Sequence, residues 1–167
     1  PVRVPPGQPR PAPEAVLDAA LASARGRERL MLLLAAHAGL RCAEIARVHR
    51  ADLVAGVLYV RGKGGKTRLV PVEHPEIVEA LRGDGWLFPG RGGQPLTPGT
   101  VSALLSTALP DGWTGHTLRH RFATRAYAGT RDVLAVGRAL GHARPETTQR
   151  YVQLPHDALL AVVRAAA

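Results

Sequence analysis

The run Leu30-Met31-Leu32-Leu33-Leu34-Ala35-Ala36 is apolar on every side, and it constrains the fold more than any other stretch of the chain. A helix with no polar face has nothing to offer water, so other elements must enclose it. The segment Arg27 to Ala38 is therefore expected to be a central core helix, ended by Gly39 in the left-handed position past its C-terminus. At 167 residues the chain is long enough to wrap such a helix within one domain. The run is far short of the roughly 18 apolar residues a membrane span requires, and no basic-then-apolar leader opens the sequence. Neither spanning nor secretion is expected.

The flanking segments supply the enclosure. Six prolines in Pro1 to Pro13 preclude a helix there and predict a semi-extended linker at 1–13, implying that the parent protein continues upstream. Helices are expected at Glu14 to Ala24, Arg41 to Val48, Pro75 to Leu81 and following Pro98, where Val101, Leu104, Leu105 and Leu109 recur at helical spacing. Thr117 to Tyr127 and Arg131 to Leu140 read as two further helices, parted by Gly129-Thr130 with Thr130 as N-cap of the second, which Gly141 ends. Between Asp52 and Val72 the texture changes. Val57 to Val60 and Thr67 to Val70 flank Gly62-Lys63-Gly64-Gly65-Lys66, the pattern of a β-hairpin with a glycine-rich turn. Trp86 to Pro89 reads as a buried extended piece and Arg91 to Gly93 as a loop, while Pro145 opens a short helix to about Val152. The expected fold class is mostly α with a small antiparallel β-sheet, α+β. The main folded domain is assigned to 14–155 and an apolar tail helix to 156–167.

Charge narrows the partner. Lys+Arg of 22 against Asp+Glu of 13 gives +9, which favours a polyanion, nucleic acid first. Twenty of the 22 are arginine, and the two lysines, Lys63 and Lys66, both sit in the glycine-rich turn. A lysine can surrender a proton where an arginine does not, so a chemical use for that exception is worth seeking. The lone Cys42 can make no internal disulfide and no thiolate zinc or iron-sulfur site, and it fits a reducing compartment.

Three clusters carry possible chemistry. His116, Arg119 and His120 lie at i, i+3 and i+4 and share a helix face. Such a face is commonly a solvated surface or a buried hydrogen-bond network, and no carboxylate or thiol stands nearby in sequence to complete a metal shell. Arg41 and Glu44 form an i,i+3 pair, worth a few tenths of a kcal/mol as a surface ion pair. Alternatively the acid holds the guanidinium so that its remaining donors face a phosphate. In Leu140-Gly141-His142, a histidine follows a helix stop, and Tyr151 comes nine residues later.

Taken together and in this order, these elements resemble the catalytic domain of the tyrosine recombinases, the phage integrase family. The resemblance rests on Arg41 in Gly39-Leu40-Arg41 with Glu44, Lys63 in its Gly-Lys-Gly turn, His116-x-x-Arg119, Leu140-Gly141-His142 and Tyr151. Leu87-Phe88-Pro89 and Pro95-Leu96-Thr97 also match the family's texture, whereas Val152-Gln153-Leu154 departs from its usual Thr-His-Val. The resemblance implies that Tyr151 attacks a DNA phosphodiester to give a 3′-phosphotyrosine and a free 5′-hydroxyl, with no metal, ATP or other cofactor. It implies that Arg41 and Arg119 stabilise the charge on the nonbridging oxygens, that His142 donates a further hydrogen bond there, and that His116 is the base toward the tyrosine proton. Lys63 is then the general acid for the departing 5′-alkoxide. Glu44 and His120 are expected to support this set, and Lys66, Arg68 and Arg144 to meet DNA phosphates. Arg47, Arg50, Arg61, Arg121, Arg125 and Arg150 are further candidates for phosphate contact.

The implied partners are double-stranded DNA, an upstream DNA-binding domain, and other copies of the chain in a tetramer on paired sites. The tail from Asp157 to Ala167 would dock either on its own domain or on a neighbouring subunit. The expected location is the cytoplasm of a bacterium, at the nucleoid, for a bacterial or phage-encoded protein. A non-catalytic DNA-binding accessory or remnant of the same fold is the alternative, and a histidine-based metal nuclease is a weaker third.

Overall fold

The computed structural model describes residues 10–62, 65–142 and 148. Seven α-helices are found among them: α1 (Glu14–Ser23), α2 (Gly26–His37), α3 (Cys42–Ile45), α4 (Pro75–Ala80), α5 (Pro98–Ala108), α6 (Gly115–Thr130) and α7 (Val133–Leu140). One antiparallel sheet joins β1 (Leu53–Val54), β2 (Val57–Arg61) and β3 (Thr67–Pro71) in the order β1-β2-β3. This is the mostly helical, small-sheet architecture expected from the sequence.

Helix α2 is central, touching α1, α3, α4, α5 and α6. Met31 to Ala36 are all buried, as a helix without a polar face requires. Gly39 follows it at φ +64°, and a Cβ there would stand 2.6 Å from the Phe122 ring, so both backbone and packing exclude a larger residue. A second, smaller apolar cluster of Ala123, Val136 and Leu140 seats α7 on α6.

The sheet alternates by face. Leu58, Val60 and Val70 point into the core, whereas Tyr59 and Leu69 face outward. In the β2–β3 register Val60 is paired with Arg68, which therefore shares the inward face. The hairpin gains a short third strand through Leu53↔Leu58 and Val54↔Val57.

Several helix boundaries differ from expectation, most at α3 and α6. Helix α3 stops at Ile45 rather than Val48, and α6 runs on through Gly129 to Thr130. The break falls at Arg131, in a left-handed conformation with φ +56°, and Asp132 caps α7 by accepting from the amides of Leu134 and Ala135 at 2.9 Å each. Thr130 instead turns its hydroxyl back to the Ala126 carbonyl within α6. A carboxylate serving two amides is the stronger cap. The helix expected to open at Pro145 and the tail beyond 156 lie outside the described residues, apart from helical Thr148.

Residues 10–13 lie against α6. The Ala12 amide donates to the Thr117 carbonyl at 3.0 Å, Ala12 is buried, and the Arg10 guanidinium sits 4.1 Å from the Trp113 ring centroid.

Candidate active site

Glu44 occupies the middle of a cluster of arginines. Its Oε2 accepts from the Arg41 amide at 2.7 Å, which starts α3, and its Oε1 accepts from Arg41 Nη1 at 3.0 Å. Arg68 donates to both carboxylate oxygens, Nη1 to Oε1 at 2.6 Å and Nη2 to Oε2 at 2.9 Å. Arg119 Nη1 stands 3.7 Å from Oε2. Burial alone would raise the Glu44 pKa. The hydrogen bonds from Arg68 and the Arg41 amide, with the charges of Arg68 and Arg119, outweigh it and hold the carboxyl below its ordinary value.

The C-terminal end of α7 is the second anchor. The Ala139 carbonyl accepts from Arg68 Nε at 2.7 Å, and the Leu140 carbonyl accepts from Arg119 Nη2 at 2.5 Å and from Arg41 Nη1 at 3.4 Å. Arg119 also donates to the Gly39 carbonyl. These last carbonyls have no partner within the helix and carry the negative end of its dipole, so they suit guanidiniums. Arg119 is buried, while the Arg41 side chain keeps 42% of its exposure and has donors to spare for a ligand.

The histidines complete the cluster. Gly141, at φ +65°, turns the chain so that His142 follows directly from the helix end, and a Cβ on Gly141 would stand 2.8 Å from Arg68 Cδ. His142 Nδ1 lies 2.8 Å from Thr148 Oγ1. Thr148 fits there because α7 carries Gly137 opposite, where a Cβ would meet the same hydroxyl at 2.8 Å. Burial, followed by the charges of Arg119, Arg41 and Arg68, pushes the His142 pKa down to about 4. His116 is lowered as well, by burial and by the charges of Arg119 and Arg41. Both imidazoles are thus neutral near neutral pH. Where the threonine hydroxyl donates to Nδ1, a neutral His142 carries its proton on Nε2 and can donate it to an anion. His116 Nε2 lies 2.8 Å from His120 Nε2.

The structure therefore brings together Arg41, Glu44, His116, Arg119, His120 and His142 from segments far apart in sequence. Lys63, Arg144 and Tyr151 lie outside the described residues. Lys66 is exposed beside the hairpin turn.

Arg68 is a correction. Expected at a DNA phosphate, its side chain is only 9% exposed and is spent on Glu44 and Ala139, because strand alternation turns it inward. Arg50 and Arg121 are likewise scaffold groups. Arg50 donates to the carbonyls of Ala80 and Trp86, and buried Arg121 holds Glu14 at 2.5 Å and 2.7 Å. Thr148 was missed by sequence reasoning, since nothing local marks one threonine as a histidine's partner. The inward role of Arg68 did have a signal, the period-2 register with Val70. Among the described residues no group of three or more His, Cys, Asp or Glu could hold a metal ion, and no helix is long and apolar enough to cross a membrane.

Known proteins share this arrangement of elements. The chain is 40% identical to the tyrosine recombinase XerC of Rhodospirillum centenum, matching over 84% of this chain and 46% of that one. It is 38% identical to XerC of Methylobacterium sp. strain 4-46, over 84% and 49%. The chain thus spans about half the length of the curated relatives it matches. Among solved structures, the integrase from mycobacterium phage Brujita superposes with a TM-score of 0.73 at 26% identity, covering 95% of this chain and 64% of that one. The XerH site-specific recombinase in its pre-cleavage complex with difH substrate gives a TM-score of 0.76 at 23% identity, over 93% and 54%, a likeness of fold. The model of the phage integrase family matches residues 13–157, and with that match covering most of the polypeptide the chain belongs to the phage integrase family.

Proposed function

We propose that this chain is the catalytic part of a site-specific DNA recombinase that cuts and rejoins double-stranded DNA through a covalent 3′-phosphotyrosine at Tyr151. The observation that carries the reading is the shared Leu140 carbonyl: it fixes Arg41 and Arg119 beside one another, two residues ahead of His142. Such a cluster concentrates positive charge on one small volume, with neutral imidazoles at its edge. A phosphodiester under attack develops negative charge on its nonbridging oxygens, and prepositioned guanidiniums stabilise that charge with little reorganisation.

In this reading the Tyr151 oxygen forms a bond to phosphorus as the bond from phosphorus to the 5′-oxygen breaks. The tyrosine proton passes to His116, and Lys63 gives a proton to the 5′-oxygen, which is far more basic than a phenolate. Arg41, Arg119 and the Nε2–H of His142 hold the nonbridging oxygens. The reverse reaction, with a 5′-hydroxyl from another strand, completes exchange without an energy source. Glu44 and Arg68 keep the cluster assembled, and Lys66 and Arg144 meet backbone phosphates. The upstream DNA-binding domain, the tetramer on paired sites and the action at bacterial DNA in the cytoplasm belong to the same proposal. The names of the XerC relatives support it.

The test is incubation with a suicide DNA substrate. A covalent protein–DNA adduct is expected, insensitive to EDTA and lost in Tyr151→Phe while DNA binding persists. An adduct that survives Tyr151→Phe, or cleavage abolished by EDTA, overturns the reading. For Lys63, a substrate with sulfur in place of the leaving 5′-oxygen needs little protonation and should rescue Lys63→Ala. A variant that stays inactive on that substrate removes the general-acid role.

A further inference from the structure

The Arg10 amide donates to His120 Nδ1 at 3.0 Å, and His120 Nε2 lies 2.8 Å from His116 Nε2. A backbone N–H can only donate, so Nδ1 of His120 must offer its lone pair there. A neutral His120 then carries its proton on Nε2 and donates it to His116. His116 in turn accepts at Nε2 and carries its own proton on Nδ1. One amide of the N-terminal segment thereby sets the direction of protons through two histidines. The segment is held in place by this bond, the Ala12 amide on Thr117, and the Arg10 guanidinium, which lies over Trp113 and reaches the Gly112 carbonyl.

We propose that His120 is the positioning residue of His116, and that docking of the Arg10 amide decides whether His116 presents a donor or a lone pair at Nδ1. With the amide in place, His116 presents Nδ1–H and supports charge on an oxygen without being able to take a proton at that atom. When the amide leaves, His120 can carry its proton on Nδ1 and accept at Nε2. The pair then reverses, and His116 Nδ1 becomes a base. Movement of the segment that leads into the domain is thus read out as a change of tautomer, with no change in net charge. The proposal rests on the assignment of His116 to the reaction, and the proton transfer from Tyr151 to His116 then belongs to the released state of the segment.

The test reads tautomers directly, by long-range nitrogen–proton NMR on the 167-residue chain above the ordinary imidazole pKa. The wild type is expected to show His116 with a protonated Nδ1 and a lone-pair Nε2, and His120 the reverse. Arg10→Ala keeps the amide and should leave both patterns unchanged. Arg10→Pro removes the amide proton and should shift both histidines toward the opposite tautomers. Should that variant fold poorly, His120→Gln and His120→Phe decide: the glutamine amide can still donate and should preserve protonated Nδ1 on His116, whereas phenylalanine should release it. A wild-type His116 protonated at Nε2, or a pattern indifferent to both Arg10→Pro and His120→Phe, overturns the proposal. Absence of a Tyr151 adduct with the expected tautomers intact would instead count against the recombinase reading alone.

Discussion

Arg68 meets Glu44 end-on, two guanidinium nitrogens on two carboxylate oxygens at 2.6 and 2.9 Å, across the space between β3 and α3. The same carboxylate also receives Arg41, so one buried acid orders side chains from the start of α3 and from the edge strand β3. Bidentate geometry fixes orientation as well as distance. The arginine spent on this clamp leaves Arg41 with exposed donors.

Removing the acid should therefore unfold rather than merely disarm. Glu44→Ala leaves Arg68 and Arg119 without their carboxylate in a buried setting, and breaking such a pair from one side costs about 3–5 kcal/mol. Urea unfolding should show this loss, with Glu44→Gln less affected because its amide oxygen still accepts. A Glu44→Ala protein as stable as the parent would show that the cluster is held by the α7 carbonyls alone.

At Gly141 a side chain meets two obstacles, the left-handed φ of +65° and Arg68 Cδ, which lies 2.8 Å from where a Cβ would stand. The backbone term alone costs about 1–2 kcal/mol for an L-residue. Gly141→Ala is expected to lose at least that in thermal or urea unfolding. It should also slow adduct formation, since His142 is carried on the next residue.

Thr148→Val keeps the shape of the side chain and removes the hydroxyl at His142 Nδ1. Either imidazole nitrogen can then carry the proton, and adduct formation should slow by about tenfold, the equivalent of one neutral hydrogen bond. Thr148→Ser should restore the rate. If valine and serine behave alike, the hydroxyl does not set the tautomer.

Acid should loosen the fold in two stages. His142, at about 4 when folded, has an ordinary value of 6.5, so between these the unfolded chain binds a proton that the folded chain does not. Stability from this source is fully present above 6.5 and is lost as pH falls toward 4. His116 and His37, also lowered, act in the same sense. Glu44, held below 4.5, adds its loss only under that value. Melting temperatures measured down this range should decline, and His142→Gln should flatten the upper stage. A slope unchanged by that substitution would remove His142 from the account.

Much of this was legible in residues close together. The unbroken apolar run at 30–36 determined that α2 lies at the centre, and alternation around a glycine-rich turn determined the hairpin, because both depend on local periodicity. The order and spacing of Arg41, His116, Arg119 and His142 carried the family, since each element is a short motif. Even Gly39 and Gly141 read correctly as helix stops, their left-handed backbones being a local matter.

Only the tertiary structure decided what each arginine touches. A guanidinium serves a phosphate, a carboxylate or a helix-end carbonyl with the same donors, so its sequence neighbourhood does not choose among them. Arg68 finds Glu44 across 24 residues, Arg121 finds Glu14 across 107, and the Arg10 amide finds His120 across 110. Tautomers follow the same rule: an imidazole's proton goes where its partners leave room, and those partners arrive from elsewhere in the chain. Sequence supplied the groups and their local geometry, and packing between distant segments assigned their partners.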